Sequence, residues 1–197
     1  MPESPVQTVA SAGPITIVRH GRPNADRTVR IDWEGYEDWW KGYDAAGLAP
    51  GQEPPAPLVE AAAEAKVIFS STLPRAIETA KAAAPDRKLV IDADFVEAPL
   101  PPPQLRGTLK PGTWGVYARV FWWMGYARGM ETRREAELRA ERAADKLVIA
   151  AQRGPVVLCA HGWFNRMLRP ALRRRGWKCV KDGGDTYWSS RTYKPIG

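Results

Sequence analysis

The chain has 197 residues, 44% of them hydrophobic and 26% charged, a balance that supports a packed core and excludes a disordered tail. Its 29 Lys and Arg against 22 Asp and Glu leave a net charge of +7, which favours anionic ligands. Two cysteines without a CxxC pair exclude a disulfide framework, and no run nears the roughly 18 apolar residues of a membrane span.

Residues 1–13 contain Pro, Ser, Ala and Gln but no basic start followed by a long apolar stretch. They are read as a flexible N-terminal extension rather than a signal peptide, ahead of a single domain over 14–197. A cytoplasmic location without membrane contact is expected. Strand-like runs at Pro14–Val18, Lys66–Ser70, Lys88–Ile91 and Pro155–Ala160 are separated by segments of helical spacing. This alternation predicts an α/β fold, a mostly parallel central sheet flanked by helices on both faces.

Helices are expected at Ile31–Leu48, Leu58–Ala65 and Thr72–Ala84, the last tolerating Pro74 in its first turn. Pro99, Pro101, Pro102, Pro103 and Pro111 stiffen a loop. Thr113–Gly129, Glu131–Arg153 and Trp163–Arg175 complete the predicted helices, and Thr186–Lys194 alternates as an edge strand or hairpin would. The aromatic residues Trp33, Tyr36, Trp39 and Trp40, and again Trp114, Phe121 and Trp122, read first as core and second as a substrate cover or dimer surface.

Both histidines of the chain end apolar runs and precede glycine, as Arg19-His20-Gly21 and Ala160-His161-Gly162. Ligands of such sheets gather beyond strand C-termini, so the two imidazoles are expected in one composite site. Arginine beside a nucleophilic ring suits phosphate, whose oxygens the planar guanidinium grips in pairs. Arg75, in Ser70-Ser71-Thr72-Leu73-Pro74-Arg75-Ala76, lies in the first turn of a helix after another strand and can reach the same edge. Attack is assigned to His20 and phosphate binding to His161, although the residues alone leave the reverse open. Departure of an alkoxide needs a proton, for which Glu97, entering the proline loop, is preferred and Asp94 is the reserve.

The ordered set of Arg19-His20-Gly21, the Ser70–Ala80 segment, Glu97 and His161-Gly162 resembles the histidine phosphatase superfamily, also called phosphoglycerate mutase-like, from about Ile15 to the last strand. The resemblance implies a phosphohistidine on His20, a phosphate pocket from Arg19, Arg75 and His161, and an acid at Glu97. Asn24 matches an asparagine that helps line that pocket. Glycine after His161, where the acid-phosphatase branch carries Asp, points to branch 1. The family frequently has Glu where this chain has Arg22.

The resulting expectation is a phosphomonoesterase acting on a small phosphorylated molecule, with neither metal nor cofactor. A phosphoglycerate-type mutase and a non-catalytic binding module on the same fold are the alternatives. Nucleic acid is not expected as a partner, because no recognised motif accompanies the basic stretch Arg169–Lys181. Homodimer formation is left open.

Overall fold

The computed structural model describes residues 12–196, so most of the expected N-terminal extension lies outside the described residues. Its strands are β1 (Ile15–Arg19), β2 (Val67–Ser70), β3 (Leu89–Ile91), β4 (Val156–Ala160), β5 (Trp177–Asp182) and β6 (Ser190–Pro195). Its helices are α1 (Trp33–Ala45), α2 (Ala56–Glu64), α3 (Pro74–Ala83), α4 (Pro111–Trp123), α5 (Arg133–Ala151) and α6 (Gly162–Arg174). The strands form one sheet in the order β3-β2-β4-β1-β6-β5. The first four are parallel, and β6 and β5 are antiparallel additions.

Local chemistry sets the helix starts. Proline stands at the first turn of α2, α3 and α4, where no N–H is needed. Asp32 accepts the Gly35 N–H to cap α1, and Thr132 with Glu135 forms a reciprocal capping box at α5. No described helix is long and apolar enough to cross a membrane.

The central strands are apolar on both faces because helices cover both. Ile15, Ile17 and Leu158 pack with Leu147, Phe164 and Leu168 of α5 and α6. Val18, Ile68 and Val157 face Leu58, Ala62 and Ala80 of α2 and α3. A third cluster, Tyr36, Trp114 and Ala118, joins α1 to α4. At the N-terminal end of the described chain, the Gly13 N–H donates to Ala151 O at 2.8 Å and Ala12 packs on the core.

Two features refine the sequence expectation. Of the two forms expected for Thr186–Lys194 the hairpin is present: its strand begins at Ser190, after a loop over the strand ends, and pairs antiparallel with β5, so that it lies inside the sheet between β1 and β5. The true edge, β5, falls within the basic stretch. Its outward lysines, Lys178 and Lys181, mask the strand alternation and discourage pairing with other chains. The rest of that stretch is not a free cationic face: Arg169 pairs with Asp185, Arg174 with Glu141, and Arg175 with Glu141 and Asp145.

Candidate active site

Register places the two histidines together. Parallel pairing of β1 with β4 runs from Ile15 opposite Val156 to Arg19 opposite Ala160, so the next residues on the two strands are His20 and His161. The His20 N–H continues the ladder to Ala160 O at 3.0 Å. The ring centroids are 5.2 Å apart, and both side chains are buried.

His20 is oriented by one hydrogen bond, from Nδ1 to its neighbour's carbonyl, Gly21 O, at 2.7 Å. A carbonyl only accepts, so Nδ1 carries the proton and the lone pair of the neutral ring lies on Nε2. His161 shares a 2.7 Å hydrogen bond between Nε2 and Ser71 Oγ, while its Nδ1 has no partner among the described residues. Burial, followed by the nearby cations and first among them Arg75, holds His20 well below the ordinary histidine range. Burial and then the neighbouring His20 do the same to His161. Both rings are therefore neutral near pH 7, the form that has a lone pair.

That neutrality has a cost in acid. Above the unfolded value of about 6.5 the rings are neutral in both states and contribute no pH dependence. Below it the unfolded chain binds protons that the folded chain does not, so stability falls with decreasing pH, by up to about 1.4 kcal/mol per pH unit for each ring. The urea midpoint is expected to drop between about pH 7 and about pH 5.5, a window in which ordinary carboxylates stay ionised. His161→Gln should flatten that slope.

Glycine at position 21 is required by close approach. A Cβ there would lie 2.5 Å from the Trp188 ring, and the Gly21 N–H donates to Thr79 Oγ1 at 2.9 Å. Arg19 bonds through Nη1 to Asp185 O, its guanidinium lies 4.4 Å from the Tyr187 ring centroid, and its buried Nε has no acceptor among the described residues. Arg75 is fully buried in the first turn of α3. It donates to Tyr43 O and to Asp44 Oδ1, both at 2.9 Å, and likewise leaves Nε unpartnered.

A cavity of about 380 Å3 opens on these groups, lined by Arg19, His20, Arg75 and Glu97 together with aromatic residues of α1 and α4. Glu97 caps α6, its two oxygens accepting the N–H groups of Trp163 at 3.1 Å and Phe164 at 2.8 Å. The reserve acid is elsewhere. Asp94 turns to α5, where Lys146 at 2.8 Å and Arg142 at 3.3 Å pair with it and hold its carboxyl below the usual range against the opposing effect of burial. Asn24 is exposed and does not line the cavity, because its backbone N–H is tied to Gly47 O at 2.9 Å in the loop before α1. Arg22 is also exposed. The thiol of Cys159, fully buried on β4, is pushed up to about 12 by burial and stays protonated.

Several residues in or beside the site escaped the sequence reading. Arg27 donates to Tyr187 Oη at 2.6 Å, and Tyr187 itself stands 5.6 Å from the His20 ring. Asp44, at the end of α1, is raised by burial, with the attraction of Arg75 opposing. Arg119 of α4 reaches the cavity from the far wall. Helical spacing placed Tyr36 and Trp114 in the core, where they are, and the second reading of the α1 aromatics as a substrate cover fits Trp39 and Trp40, which line the cavity together with Trp163. Among the described residues, no group of three or more His, Cys, Asp or Glu is gathered as metal ligands would be.

A family model described as the histidine phosphatase superfamily (branch 1) matches residues 15–180. No curated protein gives a match. Solved structures do: a mycobacterial glucosyl-3-phosphoglycerate phosphatase is 23% identical with a TM-score of 0.53, over 83% of this chain and 80% of its own. A mycobacterial hydrolase is 22% identical with a TM-score of 0.56, over 92% of this chain and 96% of its own. A third, TTHB049 from Thermus thermophilus, is 21% identical with a TM-score of 0.52, over 91% and 92%. At these identities the likeness is one of fold.

Proposed function

Because the chain belongs to the histidine phosphatase superfamily, branch 1, we propose that it hydrolyses a small phosphomonoester through a phosphohistidine on His20, using only its own side chains. One observation carries this reading. Arg19 and Arg75 line the cavity with His20, which offers a lone pair, and the buried Nε of each has no acceptor among the described residues; His161, whose Nδ1 is likewise unpartnered, does not line the cavity itself but holds its ring 5.2 Å from that of His20. A tetrahedral oxyanion supplies three acceptors at once and places phosphorus against that lone pair.

In the first step His20 Nε2 attacks phosphorus in line, and the bond to the leaving oxygen breaks with its electron pair going to that oxygen. Glu97 delivers the proton the oxygen needs. Water then attacks the phosphohistidine, Glu97 takes the water proton, and the P–N bond breaks to restore neutral His20 and release inorganic phosphate. The arginines hold the equatorial oxygens as charge redistributes. A mycobacterial neighbour of the same fold is named as a phosphatase of glucosyl-3-phosphoglycerate, which supports the reaction class and leaves the substrate of this chain to its own cavity.

Turnover of a radiolabelled phosphomonoester, quenched in alkaline detergent, tests the intermediate. Label bound to protein, labile in acid, stable in alkali and mapped to the peptide containing His20 is expected. Label in a hydroxyl ester, or phosphate release with no labelled protein at any quench time, would overturn it.

A further inference from the structure

Arg119 is an exception among the buried arginines. Arg75 pairs with Asp44, Arg139 with Glu131, and Arg191 with Asp182 and Asp185. Arg119 is equally enclosed, 9% exposed, and among the described residues no carboxylate lies within ion-pair reach of it. Its Nη2 donates to Ala98 O at 3.2 Å, and its Nη1 has no acceptor.

The guanidinium is held instead by two indole faces, 4.6 Å from the Trp163 centroid and 4.8 Å from that of Trp122. Burial depresses it to about 10, so it remains a cation at neutral pH. Glu97 is near enough to act on it electrostatically, but the oxygens of Glu97 are engaged by the backbone of α6. A second unsatisfied donor adjoins it: the indole Nε1 of Trp163 is buried without a partner, and Trp163 lines the same cavity.

An enclosed cation with no carboxylate in ion-pair contact is destabilising unless something offsets it. The cavity does supply a route, because Arg119 and His20 line one space. We propose that Arg119, with the Trp163 indole N–H, binds a second oxyanion of the substrate, so that the ester fitted to this site carries a carboxylate or second phosphate besides the phosphoryl group removed at His20. This rests on the phosphatase reading above and narrows its substrate class to esters with two anionic ends.

Three esters with a two-carbon leaving group separate the possibilities: phosphoglycolate, ethylene glycol bisphosphate and ethyl phosphate. One or both of the first two are expected to exceed ethyl phosphate in kcat/KM by about 10- to 100-fold, the worth of a charge-assisted contact, and whichever does identifies carboxylate or phosphate as the second group. Arg119→Met should bring the ratio towards one. Arg119→Lys, which keeps the charge without the planar fork, should retain part of it and serves if the Met variant does not fold. A ratio near one in the unmodified protein, or a ratio that survives Arg119→Met, overturns the inference. If an aryl phosphate is cleaved in a His20-dependent manner while the ratio is flat, only this inference falls; if no ester is cleaved, the phosphatase reading falls with it.

Discussion

Replacing His20 with alanine is expected to abolish steady-state hydrolysis of p-nitrophenyl phosphate, a loss on the order of 10^4-fold or more, because no other group in the cavity can form the covalent intermediate. His161 is not a substitute. Its Nε2 is committed to Ser71, and no carbonyl orients its ring as Gly21 O orients that of His20. The variant removes a ring and leaves space beside a cavity that opens to solvent, so added imidazole should restore part of the turnover. Rescue of that kind distinguishes a missing nucleophile from a collapsed fold. Turnover in His20→Ala equal to the unmodified protein would remove the basis for the mechanism.

Glu97→Gln is expected to divide substrates by leaving group. With an alkyl phosphate the loss should be about 10^2- to 10^4-fold, the usual worth of a positioned acid. With p-nitrophenyl phosphate it should be much smaller, because nitrophenolate departs without a proton. Glutamine also places an amide N–H2 where α6 needs an acceptor, so a fall of about 1 kcal/mol in stability should accompany the change. Asp44→Asn is the companion variant. It loosens the partner of Arg75 and should act mainly on KM; if it, rather than Glu97→Gln, produced the leaving-group dependence, the acid would be Asp44.

The sequence revealed those parts of the site that strand ends determine. His20 and His161 each follow an apolar run, and parallel pairing of adjacent strands makes their meeting almost automatic. Arg75 was legible for the same reason, one turn into the helix after β2. Side chains delivered by helix packing were not legible. Arg119 and Asp44 sit on α4 and α1 among aromatic residues whose spacing signals burial first, and nothing local says which polar side chain of a buried helix meets the site. The choice between Glu97 and Asp94 turned on contacts far along the chain, with α6 for one and α5 for the other. β5 was hidden because its solvent-facing lysines obscure the alternation that marks a strand.

The loop between β5 and β6 ties the first motif to the last part of the fold. Asp185 gathers Arg166, Arg169 and Arg191 on its carboxylate and receives Arg19 on its carbonyl, while Tyr187 and Trp188 close over His20 and Gly21. During synthesis Arg19 and His20 emerge from the ribosome early, yet the brace that fixes Arg19 is translated more than a hundred and sixty positions later. A nascent chain thus lacks that brace until the final hairpin docks.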